Sequence, residues 1–182
     1  MRAQDIIAFW QDAGPEKWFS KDDAFDAKVE KMLGRLHFAA ARGELNDWRA
    51  SAQGTLALLI LLDQVPRNIF RNSAHSYATD SLARRIAEDG IAEGFDQQCE
   101  TSLRLFFYLP YEHSEALADQ ETSMRLFQAL FDATGDEETL KFAILHRDII
   151  RRFGRFPHRN IALGRTTTRA EQSYLDEGGF KG

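Results

Sequence analysis

The chain has 182 residues, 43% of them hydrophobic and 28% charged, with four prolines, twelve glycines and one cysteine. That composition excludes collagenous, disordered and disulfide-stapled proteins, and it predicts a single domain over 1–182 with a flexible tail at 177–182. The longest aliphatic run, Leu56 to Leu62, is seven residues where a membrane span needs about 20, Asp5 interrupts any signal-peptide core, and the lone Cys99 fits a reducing, cytoplasmic setting.

Positive charge is unevenly placed. His146 to Arg169 holds seven arginines and one acid, formally +6, which leaves −11 for the rest of a chain whose net charge is −5. Arginine outnumbers lysine 17 to 6, and only the guanidinium offers the planar, two-pronged donor that suits carboxylates and phosphates.

In chain order, Gln4 to Gln11 reads as a short helix stopped by Gly14-Pro15, with Trp18 and Phe19 as loop anchors. From Asp23 to Gly43, Phe25, Val29, Met32, Leu36 and Ala39 recur at helical spacing and predict one buried stripe. Ser51 to Gln64 is apolar on every side and leucine-rich, the mark of a central buried helix, and Pro66 is expected to end it. Ser76 or Thr79 opens a helix that Gly90 is expected to stop.

A further helix, about Gln98 to Leu109, places Cys99, Leu103, Phe106 and Phe107 inward before Pro110. Ser114 is a candidate cap for the next, with Leu117, Met124, Phe127 and Phe131 as its stripe. Asp136 to Phe153 follows, and Thr168 with Glu171 forms a capping-box pattern that opens a last short helix. No segment alternates with period two, so the fold class is all-α, in stacked antiparallel helix pairs. A local echo, Val65-Pro66-Arg67-Asn68-Ile69 and Phe156-Pro157-His158-Arg159-Asn160-Ile161, suggests that two turns share a structural role.

On a helical wheel His146 falls within the apolar arc of Phe142, Leu145, Ile149 and Phe153, with Arg147 and Arg151 on one flank and Asp148 and Arg152 at ion-pair spacing on the other. It is either a core imidazole satisfied by one hydrogen bond or a histidine at the floor of an arginine-rimmed pocket. Asp63, at the end of the most apolar stretch, needs a partner, for which Arg67 or an arginine of the late cluster is available. Glu112 and His113 occupy a turn where a histidine beside unpaired backbone N–H groups could meet an anion. Neither a metal nor a cofactor is expected: no two histidines have the spacing of a zinc protease. Nucleic acid is disfavoured by a pI of about 5.6.

Three stretches carry a resemblance: Asp63 to Arg71 (DQVPRNIFR), Phe107 to Glu115 (FYLPYEHSE), and His146-Arg147-Asp148-Ile149-Ile150 with Arg152 to Asn160 (RFGRFPHRN). With Phe9-Trp10 and Trp18-Phe19 they resemble the bacterial family known as domain of unknown function 924. Departures are Val65, where phenylalanine is usual, and Thr167 to Glu171 in place of a proline-containing cap. The resemblance implies a helical superhelix related to tetratricopeptide repeats and no assigned activity.

The expected binding residues are Asp63, Arg67, Asn68, His113, His146, Arg147, Arg151, Arg155, His158, Arg159 and Asn160. They suggest a helical-repeat binding module that recognises an anionic small molecule or peptide carboxylate through an Arg/His-lined cleft. Two alternatives stay open: an enzyme with His146 or His113 as general acid or base, and a scaffold in which the same residues form a buried Arg/Asp/His network. No membrane partner is expected, and the residues do not indicate an oligomeric state.

Overall fold

In the computed structural model, which describes residues 1–182, the chain is all-α, without a strand. No helix is long and apolar enough to cross a membrane. The chain resolves into two compact units, Met1–Arg71 with His75–Pro110, and Asn72–Ala74 with Tyr111–Gly182.

The first unit is built around its most apolar segment. Helix α1 (Ala3–Ala13) ends at Gly14, whose φ of 77° suits a residue without Cβ, and Pro15 opens the one-turn α2 (Pro15–Trp18). Trp18 is therefore helical, where a loop was expected. Its indole N–H donates to the Trp10 carbonyl at 2.6 Å, while Phe19 is exposed. Helix α3 (Asp23–Ala41) is capped by Asp22, which accepts from the N–H groups of Ala24 and Phe25.

The buried row of α3 is Phe25, Val29, Leu33 and His37, with Met32 exposed. The expected stripe drifted off this four-residue ridge because apolar residues occupy more of the helix circumference than one neighbour covers.

Ser51 caps α4 (Ala52–Leu59), accepting from Gly54 N–H, and a Cβ at Gly54 would lie 2.0 Å from the Trp48 carbonyl oxygen, so only glycine fits there. Every residue from Gly54 to Pro66 is buried. Pro66 does not end this segment. A π-turn, Ile60–Gln64, carries the helix into α5 (Val65–Ile69), with Val65 N–H reaching back five residues to the Ile60 carbonyl.

The wider turn seats the proline as an opening residue and leaves carbonyls without helical donors. Three side chains supply donors instead: His37 Nδ1 to the Leu61 carbonyl at 2.8 Å, Thr79 Oγ1 to that of Leu62, and Arg67 to that of Asp63.

Burial pushes the His37 pKa down against the opposing pull of the Leu61 carbonyl. Below about pH 6.5, the ordinary imidazole pKa, the unfolded chain takes up a proton that the folded ring resists. Stability is therefore full above that pH and falls as acid is added, until the folded ring itself titrates. Urea unfolding of wild type and His37→Gln should show a steeper loss for wild type between pH 6.5 and 5; parallel curves would refute a neutral, donating His37.

Helix α6 (Asp80–Ala92) follows Thr79, and Gly90 lies inside it, not at its end. A Cβ at Gly90 would sit 2.9 Å from Thr55 and 3.1 Å from Phe107, so this glycine serves close packing, and Gly94, with φ 69°, makes the turn. Two 3₁₀ turns, Asp96–Gln98 and Thr101–Leu103, stand where a longer helix was expected, and α7 (Leu105–Glu112) runs through Pro110. The unit boundary falls within α7.

In the second unit α8 (Leu117–Thr134) and α9 (Glu137–Phe153) form a hairpin across left-handed Gly135, and Asp136 caps α9. Ser114 is not the cap of α8, which begins three residues later. Its hydroxyl accepts from Ala116 N–H and donates to Asp119. Gln120, Ser123, Phe127 and Leu130 are the buried face of α8, and Leu117 is exposed. Helix α10 (Arg169–Asp176) opens with the expected Thr168–Glu171 capping box. Ile149, Ile150 and Phe156 make the local core, against which Leu145, Phe153, Tyr174 and Phe180 pack, so the 177–182 tail is anchored at Phe180.

Candidate functional site

Asp63 and Gln64 lie in the π-turn, which delivers a carboxylate and an amide into the core at 1% and 4% exposure. Gln64 Nε2 donates to Asp63 Oδ2 at 2.6 Å. Arg67, one turn on, approaches Asp63 Oδ1 at 3.2 Å and grips Asp80 with both terminal nitrogens at 2.9 and 3.0 Å. Burial alone would weaken the guanidinium's hold on its proton, but Asp63 and Asp80 outweigh it and raise the Arg67 pKa above its ordinary value. Asn68 donates to Asp26 at 2.7 Å, and Arg71 completes that pair with both an Nε and a terminal nitrogen. Of the expected residues, the first unit thus joins Asp63 to Arg67 and gives Asn68 a separate acid.

The echoed turn in the second unit is built on the same plan. Pro157 opens a 3₁₀ turn, Pro157–Arg159, as Pro66 opens α5, and in each case the asparagine amide then donates to a carboxylate. Asn160 reaches Glu171 at 3.3 Å, and Arg155 binds Glu171 through two bonds of 2.5 and 2.8 Å. The Arg155 guanidinium, with burial opposing, and the Thr168 N–H hold the Glu171 carboxyl down at about 2. Glu115 receives Arg165 at 2.7 and 3.0 Å and Phe156 N–H at 2.8 Å; burial would raise its pKa, but these donors lower it.

Arg159 is 6% exposed, with its guanidinium 4.4 Å from the Phe156 ring centroid. Arg147 pairs with its neighbour Asp148, Arg151 with Glu121, and Arg152 lies over Phe153 and Tyr174, so the expected Asp148–Arg152 pair does not form.

His146 faces the core, as its wheel position predicts, at 5% exposure. Its Nδ1 lies 2.8 Å from the Phe142 carbonyl and 3.3 Å from Glu112 Oε1, an arrangement in which a carbonyl and a carboxylate orient one imidazole. The His113 ring is 6.3 Å from it, and His158 is joined to the same group through Phe156 and Phe180. No group of three or more His, Cys, Asp or Glu side chains is placed to hold a metal ion. A cleft of about 290 Å³, between α1 and α3, is walled by stacked Phe9 and Phe25 with Lys17 and Lys28 over their faces.

Sequence reasoning missed the acids that complete these groups. Asp26 and Asp80 carried no motif signal, Glu115 closed the Phe107 to Glu115 stretch with no role assigned to it, and Glu171 was legible only as a cap. Tyr174 and Phe180 belonged to no recognised pattern.

The chain is similar to a solved protein of unknown function from Agrobacterium tumefaciens, with 51% identity, 97% of each chain covered and a TM-score of 0.92. No curated protein matches it. The model of a bacterial family of unknown function matches residues 6–179, so with its paired Pro–Asn turns and His146 helix the chain belongs to the DUF924 family.

Proposed function

We propose that the protein is a binding module, in which the arginines of the two Pro–Asn turns serve as structural ties. One observation carries this reading: four of the five guanidiniums expected to meet a ligand anion, those of Arg67, Arg147, Arg151 and Arg155, already meet a carboxylate of their own unit. Arg67 is spent on Asp63 and Asp80, Arg155 on Glu171, and Arg165 on Glu115. A second anion would have to displace a carboxylate that already holds the guanidinium through two bonds. Recognition then falls to the histidine and aromatic group of the second unit. The helical hairpin of α8 and α9 supports a tetratricopeptide-like scaffold, and the single free thiol of Cys99 supports a cytoplasmic setting.

Thermal unfolding with millimolar inorganic phosphate or citrate tests the reading. Arg155→Ala should lower the melting temperature, and neither anion should stabilise wild type more than the variant. Stabilisation by phosphate that disappears in folded Arg155→Ala would restore an anion site and overturn the proposal. The Glu112–His146 pair favours a second reading, His146 as a general base oriented by a carboxylate. That reading requires turnover that His146→Ala abolishes without a change in melting temperature.

A further inference from the structure

The cleft of the first unit owes its shape to where its helices start and stop. Helix α1 packs on α4 and α3 packs on α5, and the two meet through the Phe9 ring, stacked on that of Phe25 at 5.9 Å between centroids and 12° between planes. Gly14 and Pro15 end α1 and turn the chain into α2, which the Trp18 indole ties to the Trp10 carbonyl, so Lys17 comes back to the cleft. The Asp22 cap starts α3 so that Phe25 and Lys28 stand one turn apart on one face. The enclosed space, about 290 Å³, is at the lower end of small-ligand pockets.

Its charge is opposite to that of the chain. Lys17 and Lys28 line it with one acid, Asp12, a formal +1 in a chain of net −5. Lys28 has no acid three or four residues away, where Ala24, Phe25, Lys31 and Met32 stand, and its ammonium lies 5.2 Å over the Phe9 centroid. The Lys17 ammonium lies 6.0 Å over Phe25 and 3.6 Å from one oxygen of Asp22, whose other oxygen caps α3. An ordinary surface lysine lays its methylenes on apolar neighbours and carries its nitrogen out into water. Here both nitrogens are kept over the rings. A ring face attracts an ammonium's charge without taking up its three N–H donors, so donors remain at an aromatic wall.

We propose that this cleft binds a small aromatic carboxylate, with its ring against Phe9 and the Ala13 and Ala24 methyls and its carboxylate between the two ammoniums. The flat apolar body follows from the walls, and the single negative charge from the formal +1. A cation of the same shape meets two ammoniums and is rejected. The site lies within the first unit and shares no residue with the histidine group of the second, so it is a separate site that stands or falls apart from the reading given above.

The test is titration of phenylacetate into the full-length chain labelled with ¹³C-alanine, followed through the methyl signals of Ala13 and Ala24. Both should shift to saturation at millimolar phenylacetate, and phenethylamine, with the same ring and the opposite charge, should move neither. Lys28→Met keeps the apolar stem and removes the ammonium; it should weaken phenylacetate about tenfold, as the loss of a hydrogen bond to a charged group implies. Ala13→Leu, which fills the cleft and keeps both lysines, should abolish the Ala24 shift. Absence of a saturable shift in wild type, an equal response to phenethylamine, or unaltered affinity in either variant overturns the proposal.

Discussion

Replacing Arg67 with methionine should cost about 3–5 kcal/mol of stability and lower the melting temperature by roughly 10 °C. The guanidinium bridges Asp63 and Asp80 and also donates to the Asp63 carbonyl at the π-turn. Methionine fills much of the same volume but returns none of these bonds, and the Asp63 carboxylate stays 1% exposed in the core. Much of the loss is the cost of keeping that charge there without Arg67.

Arg67→Met combined with Asp63→Asn should therefore be more stable than Arg67→Met alone. A double-mutant cycle by urea unfolding should return a coupling of about 1–3 kcal/mol. Strictly additive losses would show that Arg67 ties the turn through Asp80 and the backbone alone.

Glu171→Gln should lower stability at pH 7 by about 2–3 kcal/mol and reduce the acid sensitivity of the second unit, to which Glu115 also contributes. Glu171 accepts from Arg155, Asn160 and the Thr168 backbone at once, so it closes the Phe156–Asn160 turn and caps α10. Its folded pKa, about 2 against an ordinary 4.5, sets the sign. The unfolded chain takes up the proton first, so the contribution is complete above about pH 4.5 and drains away as the pH falls towards 2. Amide hydrogen exchange over α10 should accelerate in Glu171→Gln at neutral pH, and wild type should approach the variant's rates below pH 3. Unchanged protection in the variant would mean that Arg155 and Thr168 hold the turn without the carboxylate.

Both predictions concern residues whose partners lie far along the chain, and this separates what the sequence made visible from what it did not. His146 was placed on a buried face because the period of α9 is strong and local. The Thr168–Glu171 cap was legible because its geometry is confined to four residues. The echo of the two Pro–Asn turns was likewise local, and the structure gives it a common plan: proline opens a short helix and asparagine reaches a carboxylate. By contrast Asp26 meets Asn68 across 42 residues and Glu115 meets Arg165 across 50, and no motif joins them.

Two prolines and a glycine misled for a related reason. Pro66 and Pro110 were read as breakers, but a proline stops a helix only where its neighbours cannot accommodate the missing N–H. At Pro66 a π-turn does so, with His37, Thr79 and Arg67 serving the exposed carbonyls. Gly90 was read as a stop, but it is the place where α6 comes too close to Thr55 and Phe107 for any Cβ.

What the sequence alone determined is the class of architecture: an all-α chain, the position of its most buried segment, the inward face of His146, and a concentration of arginine between residues 146 and 169. These follow from period and composition, which depend on neighbours within a turn or two. What only the tertiary structure decided is the use of those arginines. A guanidinium binds whichever carboxylate the fold brings within about 3 Å, and that choice is made by elements dozens of residues apart. The same distance-dependence set the tail's Phe180 between two imidazoles, where sequence position carries no trace of it.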